Sequence, residues 1–426
     1  MEYKVYKNDT YNLYTIKTDK FKTCHLEIIF KKRIKNEEIT INNFLGDYLN
    51  YTSKKYNKRK KVIEKLEDLY DASFYEASTR VGQMFFIDFI LDFLDPKYTD
   101  KKYLEEVIKF PFEFIFNPNF SNGEANLKDF EVIKNLFRTS ILNNKDNPTT
   151  YAFRQAFKTL DKDNPASFDY PGTIEALDRI TPEDLYNYYQ EFLKDFACDI
   201  YFIGNTDMDK VASLVRENYH NNYLPHLEEE YFLKNKPVKK IIDKEEIGPY
   251  EQSSLIMLYQ TDALTIREKN YVMGYFNSIF GNGSLSNKLC QYLREDNGMC
   301  YQTYSLFQKH DNLLIVYAGI DYENKDYCVK LVNKALKEMQ QGLFTEEEIG
   351  ATKNTLVNQI KSSMDTETSI LDNYLFHNLT GAPLLNERLK EITTVTKEEI
   401  VALSKKIKLN TIYLLGGSNA KKTNNQ

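Results

Sequence analysis

The chain has 426 residues, of which 42% are hydrophobic and 28% are charged, and its formal net charge at pH 7 is −6. These proportions are typical of a folded protein of two or three domains, and they argue against a nucleic-acid partner, which would need a basic surface. Met1–Lys4 lacks the apolar core of a signal peptide. The most apolar stretch, Met84–Leu94, is too short and too charged to cross a bilayer. We therefore expect no membrane partner.

The cysteines are odd in number and far apart in the sequence. No two of them form a C-x-x-C pair. Free, buried thiols are typical of a reducing compartment, so the sequence predicts a cytoplasmic protein. The five positions are Cys24, Cys198, Cys290, Cys300 and Cys328.

The predicted helices and strands follow one another without a regular β-α-β alternation. In chain order, we predict a strand at His25–Phe30, helices at Asn42–Lys55 and Lys61–Tyr70, a strand at Cys198–Asn205, a strand at Ser253–Tyr259, a helix from Thr265, a strand at Asn312–Ile320, helices at Lys325–Gln340 and Thr345–Ser363, and a strand at Asn410–Gly417. This order predicts an α+β fold of antiparallel sheets with helices packed on one face.

One pattern occurs twice. Ile180–Leu185 is followed by a helical stretch and the strand Cys198–Asn205, and Val395–Ile400 is followed in the same way by Asn410–Gly417. In each copy a threonine, Thr181 or Thr396, stands three residues before an acidic residue, which predicts a capping box. The repeat predicts an internal duplication. We expect two homologous domains, 1–220 and 247–426, joined by a polar linker at 221–246 that contains proline.

The sequence shows no local arrangement of residues that is typical of catalysis. Its histidines are His25, His220, His226, His310 and His377, and no two of them are three or four positions apart, so no helix presents two imidazoles to one metal ion. No G-x-S-x-G motif is present. The run Gly281–Lys288 lacks the ending of a phosphate loop, which leaves a turn between two helices, capped by Ser284 or Ser286, as the favoured alternative.

The run Gly281–Leu289, continued by Arg294-Glu295-Asp296-Asn297-Gly298-Met299-Cys300-Tyr301, resembles the second-half signature of the pitrilysin, insulin-degrading and mitochondrial processing peptidases. Pro171–Leu177 and the repeated pattern also resemble this insulinase family, whose members consist of two homologous halves. The resemblance implies that Arg294 and Tyr301 contact a peptide near the metal. The alternative is structural, with Arg294 paired to a carboxylate and Tyr301 half-buried in a strand.

The first half departs from the family at its zinc motif. Active members carry His-x-x-Glu-His on the first long helix, whereas the matching positions here are Asn43, Gly46 and Asp47. The third ligand, a glutamate on a later helix, should fall near Thr139–Ser140, where no carboxylate stands. The apolar positions of the first helix, Phe44, Leu45, Tyr48 and Leu49, can still pack. One carboxylate cannot assemble a four-coordinate zinc site, so we expect no metal cofactor.

The resemblance implies a role without catalysis. Several enzymes of the family are pairs in which one subunit has lost the zinc, and similar zinc-less bacterial members are linked to processing, including maturation of the modification on elongation factor P. We therefore expect a non-catalytic subunit that binds an extended peptide, an active zinc-peptidase sibling, or both as a heterodimer. The alternative is an active metallopeptidase with a non-standard metal site.

Overall fold

The computed structural model describes residues 1–225, 229–283 and 286–417, without the side chains of 144–146. The chain forms two compact units, each discontinuous in sequence. Unit 1 contains Met1–Asn143, Asp169–Glu230 and Asp365–Leu375, and unit 2 contains Asn144–Phe168, Tyr231–Met364 and the residues from Phe376 onward. In the part of the chain that is described, no helix is both long enough and apolar enough to span a membrane.

The described residues form thirteen strands. In chain order these are β1 (Glu2–Lys7), β2 (Tyr11–Lys17), β3 (Thr23–Arg33), β4 (Ser73–Val81), β5 (Met84–Leu94), β6 (Phe120–Ser121), β7 (Glu124–Ala125), β8 (Ala197–Gly204), β9 (Ile242–Ile247), β10 (Ser253–Gln260), β11 (Cys300–Gln308), β12 (Leu313–Ile320) and β13 (Lys408–Gly416). Met84–Leu94, the most apolar stretch of the sequence, is therefore an inner strand of a sheet.

The same residues form fourteen α-helices. They are α1 (Ile39–Tyr51), α2 (Arg59–Asp68), α3 (Tyr103–Phe116), α4 (Leu127–Asp146), α5 (Pro148–Phe157), α6 (Ile174–Arg179), α7 (Pro182–Asp195), α8 (Met208–Asn218), α9 (Met273–Asn277), α10 (Lys325–Gln341), α11 (Glu346–Ser362), α12 (Glu367–Thr380), α13 (Leu385–Ile392) and α14 (Lys397–Ser404). Three π-helical stretches, Glu268–Val272, Ser278–Asn282 and Cys290–Glu295, lengthen the helical segments of unit 2.

The large sheet of unit 1 has the order β1-β2-β8-β3-β5-β4. All neighbouring strands are antiparallel except β2 and β8. Because side chains alternate along a strand, the apolar residues Leu26, Ile28 and Phe30 of β3 share one face, and they are fully buried or nearly so. Helices α1 and α3 contact β5, and α8 contacts β2. The core of unit 1 lies between this face and the helices.

The opposite face of the same sheet is polar. His25, Glu27 and Lys31 of β3 lie on it beside Asp88 and Asp92 of β5, and all but Asp92 are buried. The basic residues are paired: the Lys31 ammonium lies 2.6 Å from Asp199, and His25 Nδ1 lies 2.6 Å from Asp92. Burial raises the pKa of Asp88 well above its usual range, which favours its neutral form. Buried charges are tolerated only when they are paired in this way.

Unit 2 is built around the sheet β11-β12-β10-β13-β9, in which only β13 and β9 are parallel. One face packs on the helical residues of 266–282, α10 and α14. The other face contacts α5, whose Ala152 and Ala156 are fully buried against Ile256 and Leu258 of β10. The strand order β2-β8-β3-β5-β4 of unit 1 corresponds to β9-β13-β10-β12-β11 of unit 2. In each set of five, the first two strands are parallel and the other neighbours are antiparallel.

The structure confirms the predicted α+β class and both capping boxes. Thr181 Oγ1 accepts from the Asp184 N–H, Thr396 Oγ1 accepts from the Glu399 N–H, and each acidic side chain returns a bond to its threonine N–H. Ser286 was predicted to cap the helical segment that follows it, and this was wrong, because Asn287 caps that segment: its Oδ1 accepts from the Cys290 N–H. Ser284, the other predicted cap, lies outside the described residues.

Candidate functional site

Helix α1, which the resemblance matches to the zinc helix, is packed through its apolar side chains. As the sequence predicted, its apolar residues are buried, and each exposes 1% of its surface or less: Phe44, Leu45, Tyr48 and Leu49. The Phe44 ring lies 5.2 Å from Phe130 and 6.0 Å from Phe137 of α4, centroid to centroid. Burying a side chain of this size contributes about 1.5–3 kcal/mol, so these residues of α1 stabilise the fold independently of any chemistry at the neighbouring positions.

Asn43, at the position that the resemblance assigns to the first zinc ligand, is held by backbone carbonyl groups. Its Nδ2 donates to the Ile39 carbonyl at 3.1 Å and to the Tyr170 carbonyl at 2.9 Å. The residue is buried, so its amide satisfies two carbonyls that burial would otherwise leave unpaired. Asn43 therefore links α1 to the segment that precedes α6.

The space next to Gly46, where the family has its catalytic base, is filled by a side chain from β4. A Cβ at position 46 would lie 2.4 Å from Glu76 Oε1 and 2.8 Å from Glu76 Cδ. The Ser78 hydroxyl donates to the same Oε1 at 2.5 Å. The glycine thus permits a close approach between α1 and a carboxyl group, and no side chain fits at position 46 while Glu76 stays in place.

Asp47 and Glu76 form a pair of partly buried carboxyl groups. Burial raises the pKa of Asp47 to about 6. Burial, and then the negative charge of Asp47, raises the pKa of Glu76 to about 8, although the hydrogen bond from Ser78 opposes this. Two neighbouring carboxyl groups away from water favour retention of a proton, so at neutral pH Glu76 is mainly a neutral acid.

The predicted third-ligand positions lie on the outer side of α4. Thr139 and Ser140 are exposed, and the Thr139 hydroxyl donates to the Asn135 carbonyl one turn earlier. The rings that contact α1 come from Phe130 and Phe137 instead.

These residues do not fit a zinc ion. Asn43 is engaged with two carbonyls, position 46 has no side chain, and Asp47 stands beside a carboxyl group that resists ionisation. Across residues 1–225, 229–283 and 286–417, no group of three or more His, Cys, Asp or Glu side chains is arranged to hold a metal. The positions that the resemblance assigns to the zinc motif therefore hold a hydrogen-bonded amide, a glycine and one member of a carboxyl pair.

The structure brings Arg294 and Tyr301 together in unit 2. Arg294 lies in the last turn of a π-helical stretch, and its Cζ lies 5.8 Å from the centroid of the Tyr301 ring. Tyr301 is on the edge strand β11, where the register with β12 shifts between Cys300 and Thr303. A bulge of this kind turns a side chain away from the sheet, and Tyr301 is 87% exposed.

Arg294 has an exposed carboxylate neighbour. Its Nε lies 3.3 Å from Glu295 Oε1, and its side chain is 38% exposed. An ion pair of this kind contributes little to stability. The pair Arg294–Tyr301 is thus an open cation-π contact with donors that still face solvent.

Sequence reasoning missed Glu76. It stands in a strand of ordinary composition, 30 positions from Gly46, and no motif joins the two. The only local signal is the glycine itself, since a glycine within a helix often indicates close approach of another group.

Comparison with known proteins agrees with this geometry. Residues 179–356 match the family model described as "Peptidase M16 inactive domain". The chain is 26% identical over 410 residues to the "Probable inactive metalloprotease YmfF" of Bacillus subtilis, with 95% of each chain covered. It is 24% identical over 144 residues to the "Uncharacterized zinc protease YmxG" of the same bacterium, which covers 33% of this chain and 35% of that one.

Solved structures share the whole fold. A conserved protein from Enterococcus faecalis V583 matches with a TM-score of 0.90 and 25% identity, covering 98% of this chain and 99% of that one. A peptidase M16 inactive domain from Pseudomonas fluorescens matches with a TM-score of 0.80 and 17% identity over the same shares. Fold and sequence together show a two-unit protein that is similar to the M16 peptidases. The resemblance predicted from the sequence is confirmed.

Proposed function

We propose that this protein is a non-catalytic M16 homologue that handles an extended peptide together with a zinc-bearing sibling. The observation that carries the proposal is Glu76, which occupies the space beside Gly46 where the family has its base. A helix that had merely lost its ligands would leave a gap there. Here the Glu76 carboxyl group fills that space and accepts a hydrogen bond from the Ser78 hydroxyl, which favours a stable non-hydrolytic role.

The state of Arg294 and Tyr301 supports peptide binding. An exposed tyrosine contributes little to folding, yet it offers a rigid amphipathic surface. The guanidinium beside it carries planar donors that suit peptide carbonyls and carboxylates. Both belong to or adjoin the edge strand β11, and an edge strand has free backbone groups to which an extended peptide can pair.

The names of the relatives support a sibling. One Bacillus strain contains both a relative named as inactive and a relative named as a zinc protease. The shared strand order of the two units supports an origin by internal duplication, which we propose for this chain also. Five buried, unpaired cysteines support a cytoplasmic location.

The test compares stability with function. Because Tyr301 is exposed, we expect Tyr301→Ala and Arg294→Ala to change the free energy of unfolding by less than about 0.5 kcal/mol. The same variants should slow peptide turnover by the pair reconstituted with a zinc-bearing M16 sibling. Ile266→Ala, at a 78% exposed residue of the same unit, is the matched control and should leave both quantities unchanged.

Three results would count against the proposal. A decrease of several kcal/mol in the free energy of unfolding of Arg294→Ala would show that the Arg294–Tyr301 pair has a structural role. A failure to associate with a zinc-bearing sibling at micromolar concentration would contradict the proposed partnership. One tightly held zinc per purified chain would favour the alternative, an active metallopeptidase with a non-standard site.

A further inference from the structure

Helix α2 (Arg59–Asp68) contributes little to the core of unit 1. Of its 10 residues only Val62 is buried, and most of the others are exposed. A helix of this length gains most of its stability from the tertiary packing of an apolar face rather than from helix propensity. Most of the surface of α2 is therefore open to a partner.

The charges of α2 are ordered against its macrodipole. Its first turn holds no acidic residue and begins with Arg59, Lys60 and Lys61, whereas Glu67 and Asp68 stand at its other end. The partial charges of a helix favour acidic side chains at the N-terminus and basic side chains at the C-terminus. Helix α11 follows this rule with three glutamates in its first turn. In a single copy of the chain, the charge order of α2 therefore lowers its stability.

These charges are only weakly neutralised within the chain. Lys60 Nζ lies 3.5 Å from Glu64 Oε1, and the two side chains are 84% and 54% exposed, so this ion pair contributes little. Lys65, the basic residue of the last turn, is paired with Glu106 at 2.5 Å. In the part of the chain that the structure describes, Glu67 forms no ion pair.

Four exposed residues of α2 share one side of the helix, and we call them the α2 face: Lys60, Ile63, Glu64 and Glu67. Their spacing of i, i+3, i+4 and i+7 places them together, on the side opposite the buried Val62. Ile63 exposes 47% of its surface. An apolar residue thus lies near the centre of the face, with a cation towards one end and a carboxylate at the other.

A long polyanion does not fit the α2 face. A nucleic acid or an anionic membrane that met Lys60 would also meet Glu64 and Glu67, whose charges repel it. The face is instead complementary to a copy of itself turned by half a rotation. In such an antiparallel pair Lys60 of each copy lies opposite Glu67 of the other, and the two Ile63 side chains meet near the axis. Each cationic helix N-terminus then lies beside an acidic C-terminus.

We infer that the α2 face is an interaction surface through which two copies of this chain associate about a two-fold axis. A two-fold contact uses the same patch on both subunits, so the patch must be complementary to itself. One short helix per copy offers less than the roughly 800 Å² per partner of a stable interface. We therefore expect a weak dimer. The surface is separate from the Arg294–Tyr301 pair, and its use requires no zinc-bearing sibling.

The test is sedimentation of the full-length protein at concentrations up to about 300 µM, as a small interface requires. The dimer should weaken by about tenfold or more in high salt, because salt screens exposed charges. Lys60→Glu and Glu67→Lys should each weaken it by about tenfold or more, since each places two like-charge pairs across the axis. Lys330→Glu makes the same charge change at an exposed lysine of α10 and should leave the dimer intact.

The combined variant distinguishes a lost contact from lost structure. Lys60→Glu/Glu67→Lys should restore the dimer to within about threefold of the unaltered chain, because opposite charges again face each other. An equimolar mixture of the two single variants should associate for the same reason. In dilute solution Lys60→Glu should melt at the same temperature as the unaltered chain or higher, since an acidic residue suits a helix N-terminus.

A protein that stays monomeric at about 300 µM in low salt would overturn the assignment. A dimer that survives Lys60→Glu and Glu67→Lys would do the same, because another surface would then hold it. Failure of the combined variant to restore the dimer would show that the two positions do not face each other. Binding of the monomer to RNA or to anionic vesicles, if Lys60→Glu abolished it, would assign the surface to a polyanion instead.

Discussion

At position 46 the lack of a side chain sets the contact between α1 and β4. We expect Gly46→Ala to destabilise the protein by about 1–3 kcal/mol, the range for forcing an extra methyl group into a packed site. In a Glu76→Ala background the same change should become favourable by about 0.5–1 kcal/mol, because alanine is the better helix former. Urea unfolding of the four proteins measures this cycle.

Gly350 provides the control for that cycle. It also lies within a helix, α11, but a Cβ there would meet nothing within 4 Å. Gly350→Ala should therefore stabilise the protein in either background. If Gly46→Ala stabilises as much as Gly350→Ala does, Glu76 does not fill the site.

The raised carboxyl pKa values in unit 1 predict a stability that falls with pH. Glu76, with a pKa raised to about 8 from an ordinary 4.5, keeps a proton that the unfolded chain releases. The folded state therefore binds more protons between these two values, and the free energy of unfolding decreases as pH rises through that window. We expect the free energy of unfolding to be lower at pH 8.5 than at pH 5.5 by at least about 1 kcal/mol, since one pKa unit corresponds to about 1.4 kcal/mol.

Glu76→Gln is the control for this prediction, because a neutral amide does not titrate. A smaller slope should remain, since burial also raises the pKa of Asp88 and that of Asp372. Above pH 6.5 His25 adds to it, because Asp92 and Glu27 outweigh the effect of burial and raise the pKa of His25 to about 9. That residual stabilisation is also lost as pH rises. An unchanged slope in Glu76→Gln would contradict the assignment of the main effect to Glu76.

At the scale of single elements, the segment 221–246 combines exposed and anchored parts. Tyr223 and Leu224 are exposed and belong to no helix or strand, whereas Tyr231 and Leu233 are buried. We expect chymotrypsin to cut first after Tyr223, because exposed irregular backbone enters a protease site most readily. Mass spectrometry of the early fragments identifies the bond, and Tyr223→Ala should protect it. First cuts inside α1 or β10 would contradict this prediction.

At the scale of the whole molecule, each unit includes a segment from the other half of the sequence. Unit 1 includes Asp365–Leu375, and unit 2 includes Asn144–Phe168. Lys20 Nζ lies 2.7 Å from Asp365 Oδ1, and the rings of Tyr3 and Tyr374 stack at 4.6 Å. The predicted domains 1–220 and 247–426 remain a prediction, whereas each compact unit combines segments of both halves of the sequence.

This arrangement predicts that the second half does not fold alone. A fragment of residues 231–417 lacks α5, and the face with Ile256, Leu258, Leu313 and Ile315 would lose its cover. A large exposed apolar face promotes aggregation, so circular dichroism and hydrogen exchange should show no cooperative fold. Production together with residues 1–230 should restore it. Cooperative unfolding of 231–417 by itself would contradict this prediction.

Local chemistry in the sequence predicted much of the secondary structure. Both capping boxes and the ends of α10 and α11 follow from residues within a few positions of each other, so the sequence alone placed them. The missing zinc ligands were visible in the same way, because Asn43, Gly46 and Asp47 stand on one short helix. The mixed character of the fold followed from the spacing of the apolar stretches.

Tertiary structure alone decided what stands beside Gly46. Glu76 reaches Gly46 only because a strand and a helix that are distant in the sequence pack together. The cap at Asn287 and the exposure of Tyr301 depend likewise on the path of the backbone, which a residue pattern does not specify. Short-range interactions are encoded by neighbours in the chain, whereas burial and long-range charge contacts exist only once the chain has folded.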